Sequence, residues 1–283
     1  MVEKEDDKNY ACLAAHLTTA DTVKNILSAL KEQAIEAIIL KGLYLATTVY
    51  DDLGRQPGSD IDLLVKRCDL LRAQAVLNQL GWCAPEGVLV SLINHNDASA
   101  MNSLMFFNSG SLVSVHLHWH IINSTWPLGR YVKRINMEEI WQAAPSSVLE
   151  GVSIKGLSPE HLAIYLCYHG FTHSFAKPVY VEDINAALAC FETNINWDGL
   201  FAQADKWGLR WMVDYCLEYV KKPRICKYQH VYWQYFAHEP GFKGKALFLC
   251  RTFFPSRGVM AALCGLPIEA IGLKHYWKRL SRW

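Results

Sequence analysis

The chain has 283 residues, enough for two modest domains or one large one. Hydrophobic residues make up 51% and charged residues only 19%, which provides for a sizeable core and excludes extensive disorder. A formal net charge of +1 lacks the basic excess of duplex nucleic-acid binders, so the composition carries no strong nucleic-acid signal.

In chain order, Asp21 is placed to cap an amphipathic helix whose Val23, Ile26, Leu27 and Leu30 face inward. Ala37 to Leu40 is a short apolar strand signal, followed by Lys41-Gly42 and a helix-compatible stretch, Leu43 to Tyr50. A strand running into Lys-Gly at a helix start offers backbone N–H groups and a cation to a phosphate chain. Residues 58–65 read Gly-Ser-Asp-Ile-Asp-Leu-Leu-Val, a tight turn entering a strand. Alternation puts Asp60 and Asp62 on one face, with Ile61 and Leu63 directed into the core. Two carboxylates about 6 Å apart repel by roughly 3 kcal/mol at an effective dielectric of 20. A hard divalent cation would offset that repulsion. Solvation at the strand's open edge would also do so, and the two residues alone leave both readings open.

Asp69 is placed to open a helix through Leu80 that stops at Gly81. Farther on, Val113 to His120 alternates, so His116, His118 and His120 share one strand face. The three imidazoles allow a mixed Asp/His metal site, an independent His-only site, or an ordinary arrangement of one core histidine and two near solvent. No Cys pair or Glu motif completes a recognised zinc pattern. The domain boundary falls near 145–157, where Pro145-Ser146-Ser147 and Gly156 interrupt the pattern, giving domains 1–150 and 151–283. Ser158-Pro159-Glu160 then starts a helical half, with helices over 159–170, 181–191, 197–207 and 209–221. His161 and His169 stand eight residues apart on the first of these, roughly on one face, with His173 following. Early in the second helix, Asp183 suits the positive end of its dipole. The terminal run Lys274 to Trp283 is cationic, with Lys274, Lys278 and Arg282 on one helical face, and reads as a solvated helix or a docking surface.

Leu40-Lys41-Gly42, Tyr50, Arg55 and the Ser59-to-Val65 segment together resemble the Pol-β-type nucleotidyltransferase superfamily. Within it they are most similar to the branch of uncharacterised nucleotidyltransferase-like proteins grouped as nucleotidyltransferase family 5, in which Lys-Gly replaces the usual Gly-Ser. The likeness continues at Leu80-Gly81-Trp82, His118-Trp119, His169, Asp183-Ile184 and Asn196-Trp197. It implies an α+β fold, a nucleotidyltransferase-type mixed sheet flanked by helices and followed by a helical C-terminal domain. One position departs from the family. The third carboxylate, two residues before His-Trp, is here His116. An imidazole can ligate a divalent ion but removes one negative charge, which weakens the case for a second ion.

The resemblance implies Asp60, Asp62 and His116 as catalytic metal ligands. Lys41, Gly42, Arg55 and Ser59 would lie along the nucleotide, and His118, His169 and Asp183 would line the cleft. The expected activity is transfer of a nucleotidyl group from a nucleoside triphosphate, with Mg2+ or Mn2+, to an unidentified acceptor. Two alternatives share these residues: glycosyl transfer from a nucleotide-sugar onto a peptide or small molecule, and nucleotide binding without turnover. Nine irregularly spaced cysteines without Cys-x-x-Cys read as reduced, mostly buried thiols of a cytoplasmic protein. The polar stretch Met1 to Tyr10 does not read as a signal peptide, and no run of about 18 apolar residues suggests a membrane span.

Overall fold

Four short strands make the mixed sheet on which the rest of the chain is arranged: β1 (Ala37–Ile39), β2 (Asp60–Val65), β3 (Ser103–Phe106) and β4 (Ser114–His118). This computed structural model describes residues 18–50, 60–89, 101–111, 113–123, 128–149, 151–221, 228–241 and 244–245. The sheet order is β1-β2-β4-β3. β2 runs parallel to β4, and β1 and β3 pair antiparallel at the two edges. As an inner strand, β2 is covered on both faces: Leu63, Leu64 and Val65 are all fully buried, which is why the run stops alternating after Asp62. A two-stranded hairpin, β5 (Ser146–Leu149) and β6 (Val152–Lys155), lies beside β1, where Lys155 pairs with Glu36 at 2.7 Å.

Helices flank the sheet. Residues 18–32 form α1, which buries Val23, Ile26 and Leu30. Asp21 lies inside this helix, paired with Lys24 at 2.7 Å, and so does not cap it as the sequence suggested; the helix is already formed at residue 18. α2 (Leu43–Thr48) follows Gly42, whose φ of 62° is the left-handed conformation that glycine adopts without strain. After β2, a single 3₁₀ turn (Arg67–Asp69) leads into α3 (Leu70–Gln79). Asp69 precedes α3 but makes no side-chain cap; its carboxylate instead accepts from Arg72 at 2.9 Å. The short helices α4 (Gly129–Val132) and α5 (Met137–Ala143) lead to the hairpin, and Asn136 caps α5 by accepting from Glu138 N–H.

The second half is helical: α6 (Pro159–Thr172), α7 (Val179–Cys190), α8 (Trp197–Trp207), α9 (Arg210–Lys221) and α10 (Tyr228–Ala237). α6 is buried almost all round, and α7, α8 and α9 pack against it. Its start is set locally: Ser158 accepts from His161 N–H at 3.3 Å, and Pro159 occupies the first helical position. Asn196 caps α8 in the same way at 2.9 Å, and Gly208 ends it in the left-handed conformation. Among the described residues no helix is long and apolar enough to cross a membrane. Of the five described cysteines, all free thiols, Cys68, Cys83 and Cys190 are exposed and only Cys167 and Cys216 are buried, against the expectation of mostly buried thiols.

His161 and His169 do not form one functional row. His161 is buried against the Trp207 indole, ring centroids 5.3 Å apart and nearly parallel, and its Nδ1 has no hydrogen-bond partner among the described groups. Burial holds this imidazole below its usual range. The folded chain therefore binds fewer protons here than the unfolded chain. The resulting stability is full above the unfolded value, about 6.5, and is lost as pH falls below it. His161→Phe should accordingly lose less melting temperature than the wild type between pH 7 and pH 5. Parallel acid limbs in thermal scans of the two proteins would refute this.

Candidate active site

The β2–β4 register builds the site. Asp62 stands opposite His116, and Leu64 opposite His118, in parallel strands. Residues with the same parity point to the same face, so both imidazoles come over the β2 carboxylates. His118 Nε2 donates to Asp62 Oδ1 at 3.0 Å, and His116 Nδ1 lies 3.5 Å from the same oxygen. The other oxygen, Oδ2, is held by the Lys41 ammonium, which also lies 3.6 Å from Asp60 Oδ2. Lys41 reaches this place because β1 pairs with β2 and Leu40 N–H donates to Asp62 C=O at 3.1 Å. Thus the lysine joins the two carboxylates of the Asp-x-Asp segment.

Asp62 is 3% exposed, so its charge has almost no water of its own. Burial alone would push its carboxyl up. Lys41, then the His116 and His118 contacts, outweigh burial and hold it well below the usual carboxylate range. For Lys41, burial acts downward, but Asp62 and Asp60 prevail and raise it above its ordinary value. Burial keeps His118 below the usual imidazole range despite Asp62, so at neutral pH it is an uncharged ring. With both aspartates ionised and Lys41 protonated, these three side chains carry a net charge of −1.

The helical half closes over the same face. Tyr165 and His169 stand one turn apart on α6, with ring centroids 6.2 Å apart. His169 also contacts His173 at 4.6 Å and Tyr180, on α7, at 5.2 Å. Burial, with Lys41 next, holds His169 well below the usual imidazole range. Burial and the nearby Asp62 raise the Tyr165 phenol. Asp183 accepts from the Tyr50 hydroxyl at 2.6 Å, which ties α7 to the end of α2 beside the site.

The sequence-predicted residues are therefore partly reassembled. Asp62, His116 and Lys41 meet directly, Asp60 joins them through Lys41, and His169 lies within electrostatic reach of Lys41 and Asp62. His118 moves from the cleft wall to direct contact with Asp62. His120 does not share the cluster: β4 ends at His118, and the His120 ring turns to the Ile122 backbone, with Nδ1 3.1 Å from its carbonyl oxygen. His116, His118 and His120 therefore form no three-histidine site. Arg55 and Ser59 fall outside the described residues, as does the run from Lys274 to Trp283. The sequence singles out His173 beside His169 but neither Tyr165 nor Tyr180, although Tyr165 precedes His169 by one helical turn.

The donor set fits a divalent ion. Asp62, His116 and His118 each offer one ligand atom, and those atoms lie within 4.8 Å of one another. One carboxylate with two imidazoles suits a transition ion better than magnesium.

Among solved structures, the chain is similar to the antibiotic-resistance factor ANT(2'')-Ia in solution, at 12% identity and a TM-score of 0.44, over 72% of this chain and 98% of that one. The crystal structure of ANT(2")-Ia in complex with adenylyl-2"-tobramycin gives 13% identity and a TM-score of 0.44, over 69% and 99% of the two chains. An antigenic nucleotidyltransferase-like protein from Paracoccidioides brasiliensis gives 14% and 0.43, over 72% and 88%. No curated protein matches the chain. The family described as uncharacterised nucleotidyltransferase matches residues 6–223, well over half of the chain, and the protein belongs to that family of transferases.

Proposed function

We propose that the protein transfers a nucleotidyl group from a nucleoside triphosphate to an acceptor, with displacement at the α-phosphorus and pyrophosphate as leaving group. The observation that carries this reading is the convergence of Asp62, His116 and His118 within 4.8 Å, beside Lys41 and Asp60, in a chain of a nucleotidyltransferase family. Asp60, Asp62 and His116 would hold a divalent ion, Mg2+ or Mn2+, which when bound supplies charge neutralisation for the phosphates. Lys41 and the Gly42 backbone, at the turn from β1 to α2, would take the triphosphate, with Arg55 and Ser59 from the loop before β2. His118, in contact with Asp62, would be a further ligand to the ion, and His169 and Asp183 would border the cleft toward the acceptor. Positioning and charge neutralisation dominate phosphoryl chemistry, so these residue types suffice for it. We place the reaction in the cytoplasm, with the sheet half (1–150) carrying the phosphate machinery and the helical half (151–283) facing the acceptor.

The test is incubation with each labelled nucleoside triphosphate and nucleotide-sugar, plus magnesium or manganese and a panel of peptide and small-molecule acceptors. Pyrophosphate release with labelled acceptor is the expected result. Nucleoside diphosphate release with sugar transfer would replace the reading by glycosyl transfer. Nucleotide binding without turnover would make the protein a non-catalytic binder.

The His116 position gives a sharper prediction. Imidazole favours later divalent ions, whereas carboxylates suit magnesium. The wild type should prefer manganese to magnesium, and His116→Asp should shift that preference toward magnesium by about tenfold in relative affinity. Identical preference in both proteins, read by metal titration, would show that His116 does not touch the ion.

A further inference from the structure

We infer that Lys41 is the resident counter-ion of the Asp60–Asp62 pair, and that it exchanges from these carboxylates to the nucleotide's phosphates when a divalent ion enters, so that ion and nucleotide bind cooperatively. The inference rests on the metal-dependent reading above and adds the order of events at that site.

Each oxygen of Asp62 already faces a neighbouring nitrogen. Oδ1 takes His118 at 3.0 Å with His116 at 3.5 Å, and Oδ2 takes Lys41. An ion shared by Asp62 and the two imidazoles must approach a carboxylate that an ammonium already holds. The Lys41 side chain is only 12% exposed and Asp62 only 3%, so little water screens the ammonium from an incoming dication. Lys41 also lies 3.6 Å from Asp60 Oδ2, so both carboxylates of the pair carry the same competitor. With Lys41 in place, a dication would take the local charge from −1 to +1; without it, the same ion would neutralise two carboxylates. Lysine suits the exchange because its ammonium is a point charge on a flexible four-carbon stem. Once displaced, it needs a new anion, and the triphosphate is the anion that the reaction brings. Each ligand then removes a cost of binding the other, and by linkage the effect is reciprocal.

Manganese alone, titrated with the protein by electron paramagnetic resonance of the free ion, tests this without turnover. Lys41→Met and Lys41→Gln should each bind the ion at least tenfold more tightly than the wild type. Lys66→Met, which removes an equal charge paired elsewhere with Glu36, should stay within twofold of it. In the wild type, Lys41 should become several-fold more reactive toward reductive methylation when manganese is added, as read by peptide mass spectrometry; this arm needs no variant to fold. Equal ion affinity in wild type and both Lys41 variants, or unchanged Lys41 reactivity at saturating manganese, overturns the exchange while leaving nucleotidyl transfer standing. Absence of manganese binding by every protein overturns both the exchange and the metal-dependent reading.

Discussion

Asp62→Asn and Lys41→Met should each destabilise the metal-free protein, and the double substitution should cost less than the two singles together. From the sequence alone, removing one of two repelling carboxylates would leave the fold nearly unaffected. The structure changes that expectation, because Lys41 already neutralises the pair. In Lys41→Met, Asp62 stays buried with two imidazoles and no cation. Breaking such a buried pair from one side costs about 3 kcal/mol. Asp62→Asn should cost less, about 2 kcal/mol, because Asp60 remains as a partner for Lys41. Chemical denaturation of the four proteins gives the coupling directly, and strict additivity would show that the ion pair contributes nothing. Activity should separate the same variants. Asp62→Asn should lower nucleotidyl transfer by about a thousandfold even where it remains folded, since the site loses the carboxylate shared by both imidazoles and Lys41. Undiminished turnover in a folded Asp62→Asn protein would remove Asp62 from the active site.

Gly156→Ala should produce the largest loss of stability from a single added methyl group. A Cβ at this position would sit 1.9 Å from Cζ of Tyr44 and 2.1 Å from Cε2, well inside contact distance. The obstacle is no flexible tip. Tyr44 is buried on α2, and Gly156 N–H is fixed to Pro145 C=O at 3.1 Å. Either the ring or the segment after β6 must move, at a cost of about 3 kcal/mol, or a fall of about 8 °C in Tm. Replacing Tyr44 by Leu should recover part of the loss in the double variant, because it removes the atoms that a Cβ would meet. A Gly156→Ala protein within 2 °C of the wild type, a margin of about 1 kcal/mol, would show that the ring is not pinned there. The contact also bears on the site, since Tyr44 follows Lys41 and Gly42 by only a few residues and fixes α2 against the hairpin.

Local chemistry determined much of this protein. The Asp-x-Asp strand, its shared carboxylate face and the paired parity of His116 and His118 follow from alternation along single strands. The starts of α6 and α8 follow from Ser158-Pro159 and Asn196, whose side chains satisfy N–H groups within three residues. Where a local signal was ambiguous, another local contact prevailed: Asp21 and Asp69 pair with Lys24 and Arg72, three residues on, instead of capping helices. The family likeness joined His116 to Asp60 and Asp62 as ligands of one ion, a grouping that no local pattern contains. What only the fold decided is the charge arrangement. Lys41 read as a phosphate ligand because it is the nearest cation to a helix start. In the folded chain its nearest anions are Asp60 and Asp62, brought beside it by the antiparallel β1–β2 pairing. His118 joined Asp62, and His120 left it, because β4 ends between them. A sequence fixes which groups are available and which side of a strand they share. Which charge neutralises which is set by distances between segments far apart in the chain, and at low dielectric those distances control the energy.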